Sequence, residues 1–277
     1  MRKNESDFEN EIAPRGSALY YSLLDSAADP RHVIISLHAF HQEIMKIAER
    51  YQEPSVAQAK LGWWQEEVKR LGQAEATHPI TQSLQHYCSR FGLPEAALSA
   101  IIAAARLSID IQIYPGQTEL SHHYQHSGGL LELLKARVFA GGSADLDTEQ
   151  YAQTLGIALD TIRHLSDFAW HLQRGHLYLP ADQLAAQQIA IDKILQRQDL
   201  DKLITAFAQQ ANYAREQYQA ALKRLPATQY DKQRPGRIYA KLQFKLLDAI
   251  EIDGFQVLKH QLQLSPLKKL WWSWREP

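Results

Sequence analysis

Apolar residues recur at helical spacing along almost the whole chain, and no stretch alternates them as a half-buried strand would. In AKLGWWQEEVKRLG, Leu61, Trp64, Val68 and Leu71 draw one stripe down a helix. In PEAALSAIIAAARLSIDIQIY, Leu98, Ile101, Ile102, Ala105 and Ile109 draw another. Breakers separate such segments at Pro30, Pro54, His78-Pro79, Pro94, Pro115-Gly116, Gly141-Gly142, Pro180, Pro226 and Pro235-Gly236. Neither the short, even β-runs of a sandwich nor a strand-helix alternation is present, so the spacing predicts an all-α chain of roughly ten or more helices.

No repeat or low-complexity linker divides the 277 residues, which reads as one domain. Residues 1–16 are weakly patterned and are expected to form a flexible arm ahead of a domain over 17–277, with a loop at 226–236 before the last helical hairpin. Lys and Arg total 30 against 31 Asp and Glu, so no global field favours nucleic acid, and a charged ligand must be recognised locally. The single cysteine, Cys88, excludes an intrachain disulfide framework and is expected to be a buried, inert thiol. With no secretory leader and no apolar run near the ~18–20 residues that span a bilayer, a cytoplasmic protein is expected. The segment LSPLKKLWWSWREP allows a peripheral membrane contact through its tryptophans. The expected reading is instead that Leu267, Leu270, Trp271 and Trp274 form one packed face of a helix.

On a helix, LGIALDTIRHLSDFAWHLQRG (155–175) separates an apolar stripe from a polar side made of Gly156, Asp160, Arg163, Asp167, His171 and Arg174. Such a side is usually solvated. A second segment, SLHAFHQEIMKIAE (36–49), puts His38, His41, Met45 and Glu49 on one face. Trp63 and Trp64 point about 100° apart on a helix, so at least one is expected in the core. His122, His123 and His126 are expected on a solvated or cavity-lining face, and Gly128-Gly129 is expected to let neighbouring backbones or a prenyl tail approach closely.

The KLxWW run at Lys60–Trp64, His78-Pro79, ARVF at Ala136–Phe139 and RGxxYLP at Arg174–Pro180 occur in this order. With these landmarks the chain resembles the squalene/phytoene synthase family. The resemblance implies a single-domain isoprenoid-synthase-like helical bundle around a central cavity. It also implies head-to-head condensation of two prenyl diphosphates with Mg²⁺ held by Asp-x-x-x-Asp motifs on two facing helices. Carried over by position, the first motif falls on Met45, Lys46 and Glu49, while the second keeps Asp167 but ends at His171. The family asparagine ahead of it is Arg163. Positions implied to bind diphosphate fall on Gln42 and His176, and His41, Lys46, Arg163, Arg174 and Tyr178 complete the candidate ligand-binding set.

Met45, Lys46, Arg163 and His171 all remove negative charge or add positive charge where Mg²⁺ would sit. The first reading is therefore a catalytically degenerate member with no cofactor, holding a prenyl diphosphate or another isoprenoid lipid, or serving respiratory-complex assembly. A degenerate branch that includes the mitochondrial complex I assembly factor 6 is similar in the same way, and complex I subunits are the partners it implies. Asp167 is then expected to pair with Arg163. The alternative is an active prenyltransferase for farnesyl or geranylgeranyl diphosphate, with Lys46 and Arg163 supplementing a depleted Mg²⁺ site. A third possibility is a zinc or iron site drawn from His41, Glu49, His164, Asp167 and His171.

Overall fold

The computed structural model describes residues 5–51 and 53–276. It is a bundle of helices, with two short strands as the sole sheet among the described residues. Prolines sit in the first turn of the helices Pro54–Gly72, Pro79–Gln85, Arg234–Ile252 and Pro266–Trp274, where a missing N–H costs nothing. Pro30 likewise lies in the first turn of Ala28–Arg50 instead of breaking a helix. Leu130–Ala140 ends at Gly141, whose φ of +92° is left-handed, and Leu146–Ser166 begins at Asp145, whose carboxylate accepts from Thr148 N at 2.7 Å.

Ala28–Arg50 packs on Pro79–Gln85, Glu95–Ser108 and Leu130–Ala140. Leu146–Ser166 packs on Leu130–Ala140, Ile204–Arg224 and Arg234–Ile252. One apolar cluster runs through Ile34, Phe40, Leu61, Leu98 and Leu134, and a second through Leu165, Phe168, Leu184, Phe207 and Leu247. The site lies where the Ala28–Arg50 and Leu146–Ser166 helices face each other. No helix among the described residues is long and apolar enough to cross a membrane.

The His78-Pro79 landmark has a structural reason. Glu67 is wholly buried and accepts from Thr77 N and Oγ1 (both 2.7 Å), His78 N (2.8 Å), Thr81 Oγ1 (2.5 Å) and Arg70 Nε (2.8 Å). Burial opposes its charge, but these donors outweigh burial and lower its pKa to about 2. The Pro54–Gly72 helix is thereby tied to the start of the next one. Of the adjacent tryptophans, Trp64 is core and Trp63 is exposed. Cys88 is half-buried, and burial raises its thiol pKa to about 11.

Gly128 and Gly129 belong to a π-turn, Gln125–Gly129, that crosses the Leu146–Ser166 helix at Gly156. A Cβ at Gly156 would stand 2.3 Å from the Gly128 carbonyl oxygen, and one at Gly128 would stand 2.6 Å from Asp160 Cγ. Only glycine allows this approach.

Four expectations are corrected. Residues 155–175 are not one helix: it stops at Ser166, Asp167 caps it, and Phe168–Leu172 follows as a separate turn, because a short polar pair interrupts the apolar stripe. The stretch expected as an arm contains the helix Glu5–Ile12, which packs on Ala28–Arg50 with Phe8 buried and Glu9 2.6 Å from His32 Nδ1. Leu177–Pro180 forms a parallel pair with Ile113–Tyr114, so Tyr178, expected among the ligand-binding residues, is buried along with Leu179. The helix Pro266–Trp274 turns Leu270 and Ser273 inward and leaves Leu267, Trp271 and Trp274 exposed by 79%, 50% and 79%.

Gly156→Ala is expected to destabilise the chain by roughly 1–3 kcal/mol, because backbone and not a flexible side chain must move. Urea unfolding checks this, and a variant within error of the parent would refute the close approach.

Candidate functional site

A cleft of about 810 Å³ opens where the two helices meet, lined among others by His41, Gln42, Met45, Lys46, Glu49, Arg163, Asp167, His171 and Arg174. A smaller cavity of about 300 Å³ shares His41, Gln42, Arg163, Ser166, Asp167 and Gln261 with it and continues past Leu131, Leu159, Leu242 and Leu264. The first is polar and basic at its mouth. The second combines a row of leucines with polar and charged side chains.

Asp160 anchors the site. It is buried and accepts from Ser127 Oγ and from Gly128 N at 2.9 Å, donors brought close by the glycine crossing. Arg163 reaches back to it, Nε to Oδ1 at 3.1 Å. Burial disfavours the Asp160 charge, but Arg163, His41 and the two donors outweigh burial and lower its pKa. Arg163 also places Nη1 3.6 Å from Glu49 Oε1 on the facing helix and donates Nη2 to His164 Nε2 at 3.0 Å. His164 Nδ1 donates to the Asp160 carbonyl at 2.8 Å, which fixes its Nε2 as the acceptor. Burial disfavours the guanidinium charge, yet Asp160, Glu49 and Asp167 outweigh burial and raise its pKa.

The remaining acids differ. Burial raises Glu49 to about 7, with Arg163 offsetting only part, and its Oε1 has no hydrogen-bond partner among the described residues. Asp167 does not pair with Arg163 as expected. As the helix cap it turns its carboxylate to Gln261 Nε2 at 2.8 Å, a residue 94 positions away, and burial raises its pKa.

Among the described residues, Glu49, His164 and His171 bring potential metal-ligand atoms within 4.8 Å of one another. His41 and Asp167 fall outside that group. His171 is buried with both ring nitrogens unpartnered, and His38, His41 and His123 each have an unpartnered Nε2. His123 and Tyr178 join His164 in an aromatic stack, the His164 and Tyr178 rings 3.8 Å apart. Tyr178 therefore lies behind the cleft, and His176, bonded through Nδ1 to the Ile111 carbonyl at 3.1 Å, is not among the lining residues. His122 and His126 stack on each other at 4.3 Å, outside the site. Lys46 sits at the mouth 3.7 Å from Glu43, and Arg174 lies over the Trp170 ring at 3.8 Å.

The candidate set omitted Asp160, Gln261, Arg50 and Lys259, all of which line one cavity or the other. The only sequence signal for Asp160 was its place one turn before Arg163.

Burial lowers the pKa of His38, His41, His123, His164 and His171, with His41 and His123 brought to about 4. The unfolded chain therefore binds protons between about pH 6.5 and 4 that the folded chain refuses, and stability is lost as pH falls through that window. Glu49, raised to about 7, works in the opposite direction between about 4.5 and 7, as do Asp167 and Glu132, which burial also raises, but these are three groups against five. His41 alone accounts for about 3 kcal/mol across the full window. Melting curves from pH 8 to 4 should show a steep fall in Tm below pH 6.5, and a flat profile would contradict five buried neutral imidazoles.

The squalene/phytoene synthase family model matches residues 13–268. The phytoene synthase of Mycobacterium tuberculosis is 25% identical over 165 residues, 60% of this chain and 53% of that protein, so the match spans about half the length of that relative. The phytoene synthase of Arthrospira platensis is 22% identical over 251 residues, covering 87% of this chain and 81% of that protein. The crystal structure of squalene synthase HpnC from Alicyclobacillus acidocaldarius is similar with a TM-score of 0.72 at 20% identity, over 89% of this chain and 94% of that one. A dehydrosqualene synthase in complex with ligand gives 0.82 at 14% identity, over 97% and 93%. At such identities the structural likeness establishes the isoprenoid-synthase type of fold. The family match over nearly the whole chain, on helices that meet at the Glu49 and Asp167 positions, places this protein in the squalene/phytoene synthase family.

Proposed function

We propose that the protein holds an isoprenoid ligand with an anionic head in the cleft and does not ionise prenyl diphosphates. The observation that carries this is the Arg163 guanidinium, which stands among Asp160, Glu49 and His164 where family members would place metal-bound charge. Magnesium favours oxygen ligands at about 2.0–2.1 Å in near-octahedral array. Asp160 is committed to Ser127, Gly128 and Arg163, Asp167 is bonded to Gln261, and Glu49 shares its surroundings with imidazoles and a fixed cation. The residues present do not fit a Mg²⁺ cluster.

The same residues suit binding. Lys46, Arg50, Arg174 and Lys259 line the mouth and attract an anionic head, while Leu131, Leu159, Leu242, Leu246, Leu262 and Leu264 offer an apolar wall to a prenyl chain. A bound ground state is favoured over ionisation, because guanidinium and ammonium concentrate less charge at a leaving oxygen than a divalent ion does. A role in respiratory-complex assembly would need no prenyl transfer and is compatible with the same ligand-holding cleft.

The test is incubation with farnesyl and geranylgeranyl diphosphate, with and without Mg²⁺, followed by analysis of extracted lipid and released diphosphate beside an authentic synthase. No C30 or C40 head-to-head product is expected, and Mg²⁺-dependent product would overturn the reading. Equilibrium dialysis should show farnesyl diphosphate bound without metal, weakened roughly two- to fivefold by Lys46→Ala or Arg174→Ala. Absence of binding would refute the ligand-holding half.

A further inference from the structure

The helix Pro266–Trp274 is capped by Ser265, whose Oγ accepts from Lys268 N at 3.5 Å, and it rests on the Ala18–Ser22 and Arg234–Ile252 helices. Its outward stripe is Leu267, Trp271 and Trp274, spaced at i, i+4 and i+7, and all three are half or more exposed. Burying these side chains on the body of the protein would have been favourable, and here they meet water.

Cations frame the stripe. Lys268 and Arg275 are exposed, Arg275 lies over the Trp271 ring at 4.0 Å, and Lys269 donates to the Gly16 carbonyl at 3.0 Å. None of the three pairs with a carboxylate among the described residues. The nearby Glu276 is taken by Arg237 at 2.7 Å and Lys241 at 2.9 Å. The outward charge of Lys268 and Arg275 is therefore positive and not neutralised locally, although the chain as a whole carries −1.

We propose that this face docks on an anionic lipid surface. Tryptophan rings favour the boundary between headgroups and acyl chains, leucine enters the apolar side of it, and lysine and arginine meet lipid phosphates. Three side chains expose on the order of a few hundred Å², short of the roughly 800 Å² per partner that a stable protein interface buries. A lipid boundary has no such minimum. The smaller cavity reaches the inner side of the same helix at Lys269, with Ala18 and Leu264 beside it. This inference stands independently of the proposed function, because docking needs no ligand in the cleft.

The test is co-sedimentation of the full chain with phosphatidylcholine vesicles and with mixed phosphatidylcholine–phosphatidylglycerol vesicles. Binding to the mixed vesicles is expected, with a blue shift of tryptophan emission, loss in high salt and little binding to phosphatidylcholine alone. Trp271→Ala with Trp274→Ala should reduce binding by roughly tenfold or more while leaving the circular dichroism spectrum and Tm unchanged, because both rings are exposed. Lys268→Glu with Arg275→Glu should remove the preference for anionic lipid. No binding to either vesicle, or binding indifferent to the tryptophan pair, overturns the proposal. So does a dimer in light scattering that the tryptophan pair abolishes, which would assign the face to a second copy of the chain.

Discussion

The contact between Asp160 and Arg163 sets a charge pair in the middle of a helical bundle, where either group without the other would cost several kcal/mol. Its geometry depends on glycine. Because residues 128 and 156 lack a Cβ, the π-turn and the Leu146–Ser166 helix come close enough for Ser127 Oγ and Gly128 N to reach the Asp160 carboxylate. Arg163 is then held from one side and spends its remaining donors on His164 and its charge on Glu49 across the cleft. Helix crossing, buried acid, guanidinium and neutral imidazole follow one from another.

Much of this was legible in the sequence. Helical spacing and punctuation gave the all-α bundle because burial of apolar stripes decides both. The family landmarks put Glu49, Arg163, Asp167 and His171 around one cleft, and the structure has them there. Asp160 stands on the polar side read from the sequence but outside the candidate set, because such a side is solvated by default and its donors at 127 and 128 lie more than thirty positions earlier, as the separations of 33 and 32 show. The partner of Asp167 escaped for a like reason, since Gln261 is brought to it by a loop that no local rule places. The last helix shows a different limit: periodicity tells which of Leu267, Leu270, Trp271 and Trp274 share a stripe, but it does not tell which stripe faces inward.

The two cavities are neighbours divided by few atoms. The Gln261–Asp167 hydrogen bond lies where they share a wall, with a basic mouth on one side and leucines on the other. His41 faces both and is neutral at physiological pH, so the charge in the shared wall comes from Arg163 and Asp167 and not from the imidazole.

The Asp160–Arg163 pair also bears on how the cleft could be altered. Aspartate introduced at position 45 or 171 would join a cleft that already holds the Arg163 guanidinium in place, a counter-charge for the new carboxylate that needs no metal ion. Replacing Arg163 alone would strand Asp160 in the bundle with its charge uncompensated. Each single step toward an acid-rich site is opposed by the others, so an acid-rich cleft would require several residues to change together.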